Sequence, residues 1–155
     1  MEIQRRNREV FEQALESGGL QKALGFLNQR VEHRYTAVYR LKSGVLHNAY
    51  LEDKMQEMRP EYLEAVPLGT SFCQFVLRDG VFATANSAED RRLDGHPYQG
   101  AMVAYTGVPL VDASGELIGT ICHFDVTERS LVDAEFELLQ LAARILPGHL
   151  PRNDA

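Results

Sequence analysis

The chain has 155 residues, of which 45% are hydrophobic and 25% are charged, and its formal net charge is −6. This size and balance indicate one globular domain with a single core. The acidic balance argues against non-specific binding of nucleic acid, which needs a surplus of Lys and Arg. The sequence has no apolar run long enough for a membrane span and no signal-peptide pattern at its N-terminus. We therefore expect a cytoplasmic protein with no nucleic-acid or membrane partner.

Two amphipathic helices are predicted at the N-terminus. Residues 2–16 place their apolar side chains on one stripe, and Gly18 and Gly19 then interrupt the pattern. A second, stronger stripe follows from Leu20 to Val31 with helical spacing.

The period then changes to that of strands. Residues 35–41 and 45–51 are β-branched and aromatic and flank a Lys-Ser-Gly turn, which predicts a hairpin. Pro60 can open a short helix that Pro67 ends. A further helical segment is predicted before Asp79-Gly80, with a short strand after it.

The C-terminal third predicts a polar loop, a hairpin and a helix. The loop covers residues 86–100, and the hairpin strands on either side of Ala113-Ser114-Gly115 are apolar on nearly every residue, as in a sheet covered on both faces. Ser130 and Asp133 form a capping-box pattern ahead of a helix that ends at Pro147-Gly148. Together the elements predict an α+β domain, with an antiparallel sheet and the first and last helices on one face.

Cys122 and His123 place a thiol beside an imidazole in the last predicted strand. Alternate side chains of a strand face opposite ways, so this pair cannot act as a catalytic Cys/His couple. We expect Cys122 to be a core residue. For His123 two interpretations remain open: a core residue satisfied by one hydrogen bond, or part of a pocket wall. The two cysteines form no CxxC motif and the five histidines show no paired spacing, so no metal site is predicted.

The series TGVPLVD, SGELIGTICHFD and FELLQLAA, in that order and preceded by LGTSFCQFVLRDG, resembles the GAF domain family of small-molecule sensor modules. The likeness covers residues 19–147, which leaves an N-terminal helix at 1–18 and a short tail at 148–155. It implies a central antiparallel sheet of five or six strands, with the terminal helices on one face and a pocket on the other. The segments at about 56–106 would roof that pocket.

One branch of the family, the free methionine-R-sulfoxide reductases, consists of short proteins with little more than this domain. Their nucleophilic cysteine follows a Gly-His pair, and here Tyr98 or Gln99 stands at that place after Gly95-His96. Cys73 falls near a second cysteine of that branch, but it lacks the nucleophile. The cyclic-nucleotide signature is not found, the setting of Cys73 lacks the motif of bilin-attaching members, and no cofactor is predicted.

The residue pattern and the resemblance together predict a non-catalytic regulatory module that binds a small polar or aromatic molecule. A protein-interaction module that forms a homodimer through the first and last helices is the alternative, because their apolar stripes are broader than one sheet contact needs. Reductase activity is the third and weakest hypothesis. The predicted ligand-binding residues are Tyr50, Phe72, Cys73, Asn86, Tyr98, Met102, Thr106 and His123.

Overall fold

The computed structural model describes residues 2–150. Its helices are α1 (Glu2–Gln29), α2 (Cys73–Asp79) and α3 (Asp133–Ile145), and its strands are β1 (Tyr35–Lys42), β2 (Val45–Asp53), β3 (Ala65–Pro67), β4 (Phe82–Thr84), β5 (Ala104–Val111) and β6 (Leu117–Asp125). The strands form one antiparallel sheet in the order β3-β2-β1-β6-β5-β4. The predicted α+β class is confirmed, and the strand number is six.

Helices α1 and α3 cover one face of this sheet. Leu24 and Leu27 of α1 pack with Leu138 and Leu139 of α3 against the sheet residue Ile121, and all five are at most 2% exposed. Burying such a side chain stabilises the fold by about 1.5–3 kcal/mol. This helix face therefore supplies the larger apolar core of the domain.

The predicted break at Gly18 and Gly19 is confirmed as a kink within α1. Gly19 has φ 70° and ψ −160°, a left-handed conformation that strains any residue with a side chain. Phe11 and Leu15 before the kink are buried in the same core as the residues after it. The kink thus lies between two helical segments that both pack in the same core.

Most of the apolar stripes that suggested a dimer are buried within the chain. On α3, Leu138 and Leu139 are core residues, and Phe136 packs partly buried against them. On α1, only Ile3 (71% exposed) and Val10 (42% exposed) are large exposed apolar side chains within the described part of the helix. The exposed apolar surface is smaller than the sequence suggested, and the homodimer stays a prediction.

Two local predictions are wrong. The capping box fails because α3 begins only at Asp133, with Val132 at the N-cap and no side-chain cap, while Asp133 and Glu135 place negative charge in the first turn instead. The helix expected after Pro60 is a single 3-10 turn, Glu61–Leu63, followed by β3. Pairing with the β2 edge gives these residues backbone partners that a short helix lacks.

Candidate functional site

A small cavity lies on the face of the sheet opposite α1 and α3. Its volume is about 40 Å³, which is room for about three water molecules and well below the roughly 300–1,000 Å³ of drug-sized pockets. We call it the aromatic cavity, and its lining residues are Tyr39, Leu46, Tyr62, Leu63, Val66, Ser71, Phe72, Cys73, Tyr98, Met102, Tyr105, Cys122 and Phe124.

The sheet supplies the floor of the aromatic cavity through alternate residues of its central strands. Tyr39 projects from β1, Tyr105 from β5, and Cys122 and Phe124 from β6. The Tyr39 hydroxyl donates a hydrogen bond of 2.8 Å to the carbonyl of Leu63, which joins the floor to the cover. The period of two along the strands therefore places these rings together.

Helix α2 and the residue before it form part of the cover. The Phe72 ring meets Tyr105 edge to face, with centroids 5.6 Å apart and planes at 88°. It also meets Phe82 of β4 at 6.2 Å. Such edge-to-face pairs add about 0.5–1.5 kcal/mol each to the gain from burial alone. The rings hold α2 against the floor.

Both cysteine thiols face this aromatic cluster. Cys73 Sγ lies 3.1 Å from the Tyr105 hydroxyl and 3.3 Å from Thr120 Oγ1, while Cys122 makes a long contact of 3.8 Å to the carbonyl of Ala37. Burial raises the pKa of Cys73 and of Cys122. Both are therefore neutral thiols at neutral pH, the form that is a poor nucleophile.

His96 fixes the loop that closes the cavity. Its Nδ1 accepts the backbone N–H of Tyr98 at 3.0 Å, so the ring proton is on Nε2, which donates to the carbonyl of Ser71 at 3.3 Å. The ring also packs on Phe72, with centroids 4.7 Å apart. Burial lowers the pKa of His96 and so favours this neutral form.

Tyr62 and Tyr98 form the outer edge of the aromatic cavity. Tyr62 is 51% exposed and its ring lies 6.3 Å from that of Tyr98, centroid to centroid. Tyr62 belongs to the single 3-10 turn before β3, and Tyr98 to the loop before β5. The part of the wall nearest solvent therefore consists of side chains on irregular backbone.

The structure brings four of the eight predicted binding residues together. Phe72, Cys73, Tyr98 and Met102 all line the aromatic cavity. Asn86 does not, because its side chain caps the next 3-10 turn by accepting the Ala88 N–H at 3.1 Å. Whether any of these residues binds a ligand stays a prediction.

The other three, Tyr50, Thr106 and His123, lie on the helix face. The prediction that they line the cavity is wrong. Tyr50 packs against the core of α1 and α3. His123 points away from its neighbour Cys122, which faces the cavity, and Thr106 lies on the same face as His123 because the two residues are paired across β5 and β6. Tyr50 donates to Glu52 at 3.2 Å, outside the cavity.

His123 is a satisfied core residue. Asn28 donates to Thr36 Oγ1 at 2.9 Å, and the same hydroxyl forms a hydrogen bond of 2.6 Å with His123 Nδ1. Burial lowers the pKa of His123 to about 3, and the ring is neutral at physiological pH. Of the two interpretations left open by the sequence, the core residue with one hydrogen bond is confirmed.

Several cavity residues are not predicted from the sequence, chiefly Tyr39, Tyr62, Tyr105 and Phe124. Cys122 was expected only as a core residue, yet it lines the cavity as well. The alternation of side chains along the strand could have identified two of the lining residues, because Cys122 and Phe124 share one strand face. This alternation separates the two faces of the sheet but does not indicate which face carries the cavity.

Residues 2–150 show no group of three or more His, Cys, Asp or Glu side chains arranged to hold a metal ion. Among the same residues, no helix has the combined length and apolarity needed to span a bilayer.

No family model and no curated protein matches this sequence. Solved structures do match. The chain is similar to the GAF domain of the phosphoenolpyruvate-protein phosphotransferase of Acinetobacter, with a TM-score of 0.75 and 13% identity over 94% of this chain and 91% of that one. It is also similar to the free methionine-R-sulfoxide reductase of Neisseria meningitidis, solved with its substrate, with a TM-score of 0.73 and 15% identity over 94% and 87%. A third match is the fRMsr of Staphylococcus aureus, with a TM-score of 0.72 and 15% identity over 96% and 95%.

The molecule is therefore an α+β domain whose six-stranded antiparallel sheet carries terminal helices on one face and a small cavity on the other. It has the GAF-domain fold. The GAF domain of the Acinetobacter phosphotransferase and the Neisseria meningitidis reductase share that fold, so the fold alone does not decide the function.

Proposed function

We propose that this chain is a non-catalytic sensor module that binds a small molecule in the aromatic cavity. The observation that carries the proposal is the cavity itself, which lies between the sheet and its cover and is lined by aromatic rings, aliphatic side chains and two thiols. Small-molecule sites are commonly concave and mostly apolar, and this cavity has such a lining at a smaller volume.

The strands that form the cavity floor also contact the terminal helices. On β6, Cys122 faces the cavity while its neighbour Ile121 packs in the core of α1 and α3. On β1, Tyr39 faces the cavity while its neighbour Val38 packs in the core of α1 and α3. A ligand that shifts the floor thus acts on side chains that belong to the same core as α1 and α3, and a signal needs such a physical connection.

Thermal denaturation against a metabolite panel tests the proposal. A ligand at about 100 times its dissociation constant adds about 2.7 kcal/mol of stability. Val66→Phe places a larger side chain in the cavity wall and removes the shift, whereas Val132→Phe, at a position that is 64% exposed, leaves it unchanged. A panel without any shift argues against ligand sensing.

Sulfoxide reduction is a weaker proposal. The neutral state of both thiols and the absence of a cysteine at Tyr98 or Gln99 disfavour it. Assays of free methionine sulfoxide with a thiol reductant should show no turnover. Turnover that disappears in Cys73→Ser would establish the reductase instead.

A homodimer through α1 is the second candidate function, and exposed Ile3 and Val10 favour it. Sedimentation at micromolar concentration is the direct test. A dimer that dissociates in Val10→Glu but not in Val132→Glu supports this interface, and a monomer at all concentrations contradicts it.

A further inference from the structure

Three of the polar side-chain groups in the wall of the aromatic cavity already have protein partners. The Tyr39 hydroxyl donates to the carbonyl of Leu63 at 2.8 Å, and the Ser71 hydroxyl donates to the carbonyl of Leu68 at 2.9 Å. The Tyr105 hydroxyl lies 3.1 Å from Cys73 Sγ. A ligand that takes its hydrogen bonds from these three groups has to break their present contacts, at about 0.5–1.5 kcal/mol for each bond lost.

The wall also lacks charge. Within residues 2–150, none of the side chains that line the cavity carries a formal charge. Two arginines near the aromatic cavity are paired with carboxylates outside it. Arg34 donates to Asp53 at 2.7 Å, and Arg92 donates to Asp90 at 2.9 Å. A carboxylate or ammonium group in the cavity is therefore desolvated without a counter-charge, which costs several kcal/mol.

Aromatic rings, in contrast, find ready partners here. Phe72 and Tyr105 already meet at 88°, and Tyr35 stacks on Phe124 with centroids 4.8 Å apart. A further ring placed among them gains the same edge-to-face and offset contacts. Its size is limited by the volume of about 40 Å³ unless Tyr62 and Tyr98, at the outer edge, change rotamer.

We propose that the aromatic cavity binds a small, neutral, aromatic or hydrocarbon-like molecule and excludes carboxylates, amines and zwitterionic amino acids. This inference rests on the proposed sensor function and specifies its ligand class. It separates this cavity from a site for an amino-acid substrate, whose two charges have no partner on the wall.

Matched probes test the ligand class on the whole chain. Indole is the neutral probe, and indole-3-acetate and tryptamine are its anionic and cationic counterparts. Titration calorimetry should show indole binding at least about tenfold tighter than either charged probe, a difference of about 1.4 kcal/mol. Equal or tighter binding of a charged probe overturns the ligand class while leaving a ligand-binding module intact.

Two variants locate the binding. Val66→Phe and Met102→Trp fill the aromatic cavity from β3 and from the loop before β5, and each should abolish indole binding. Circular dichroism identifies the variants that fold, and Val132→Phe is the exposed control. Indole binding that survives in a folded cavity-filling variant overturns the inference.

The metabolite panel separates failure of the ligand class from failure of the sensor function. If indole fails to bind the native chain but a compound of the panel stabilises it, only the ligand class is wrong. If neither indole nor any compound of the panel binds, the sensor proposal fails as well.

Discussion

The two faces of the sheet use alternate residues of the same strands and differ sharply in how they are filled. On the helix face, Leu24, Leu138 and Ile121 are fully packed, and even the polar His123 has its partner in Thr36. On the opposite face, rings and thiols leave a cavity of about 40 Å³. The helix face presents a core of buried side chains to α1 and α3, whereas the opposite face retains a cavity between the sheet and its cover.

The covers of the two faces differ as well. The helix face is covered by long elements, of 28 residues in α1 and 13 in α3. The cavity face is covered by a helix of seven residues, by 3-10 turns and by the connections of the three-residue edge strands β3 and β4. Short elements with few ladder bonds open most easily. The helix face is therefore covered by long helices, and the cavity face by short elements that are expected to open more easily.

The largest expected effect comes from Gly119, where both faces depend on one close strand contact. A Cβ at this position would overlap the carbonyl oxygen of Tyr39 on β1. Gly119→Ala should therefore force β1 and β6 apart and lower the free energy of unfolding by at least about 3 kcal/mol. Urea denaturation measures it.

Gly69→Ala is the matched control, because a Cβ there has no neighbour within 4 Å. It should change the free energy of unfolding by less than about 0.5 kcal/mol. Similar losses in the two variants would show that the β1–β6 contact is not what makes Gly119 necessary.

Truncating one leucine on each face should separate stability from binding. Leu139 and Leu46 are both fully buried, the first in the helix-face core and the second in the cavity wall. Either change to Ala should cost about 2–5 kcal/mol. Leu46→Ala should also enlarge the aromatic cavity and admit probes bulkier than indole, whereas Leu139→Ala should not. Calorimetry with 1-methylnaphthalene distinguishes them, and equal binding to both variants would contradict the assignment of the cavity.

Acid should destabilise the helix face through two buried histidines. His33 is 1% exposed, neither of its ring nitrogens has a hydrogen-bond partner among the described residues, and its ring lies 5.8 Å from that of His123. Burial lowers the pKa of His33 to about 4 and that of His123 to about 3, from 6.5. Between pH 6.5 and about 4 the unfolded chain binds more protons, so stability falls by up to about 1.4 kcal/mol per pH unit for each histidine.

Urea denaturation at about pH 7, 6 and 5 tests this dependence. His123→Gln keeps a hydrogen-bonding group for Thr36 and should remove about half of the pH-dependent loss. His149→Gln changes an exposed histidine and is the control. A loss of the same size in native protein and His123→Gln would mean that other groups carry the pH dependence.

The fold was largely predictable because hydrophobic period and turn residues are local signals. The alternation in residues 117–125 correctly placed Cys122 and His123 on opposite faces. The kink followed from Gly18 and Gly19. Strand β3 was missed because three residues around Val66 carry no period, and only pairing with β2 makes them a strand.

The cavity was less predictable, since its wall depends on which sheet face the helices cover. Phe72, Cys73 and Met102 were found because the connecting segments were expected to roof a pocket. Thr106 and His123 were misplaced because both faces of β5 and β6 are apolar and buried, so hydrophobicity does not tell them apart. The distinction comes from tertiary packing alone.

The smallest expected effect concerns the surface ion pair between Arg30, which directly follows α1, and Glu135 of α3. Arg30 donates through Nε and Nη2 to the two carboxylate oxygens of Glu135, both at 2.9 Å. Because the pair is partly exposed, a double-mutant cycle with Arg30→Met and Glu135→Gln should give a coupling of at most about 1 kcal/mol. The coupling should shrink between about 0.1 M and about 1 M salt, where the screening length falls from about 10 Å to about 3 Å.

Glu135 also interacts favourably with the positive end of the α3 dipole, because it lies in the first turn of that helix. This interaction is present whether or not Arg30 is changed, so it cancels in the double-mutant cycle and does not contribute to the coupling energy. A coupling that does not respond to salt would mean that packing, not charge, joins the helices at this point. Indole affinity measured in the same four proteins extends the comparison of the two faces. If the faces act independently, the affinity is constant across the cycle; if α1 and α3 communicate with the cavity floor through Ile121 and Cys122, loosening the bridge changes it.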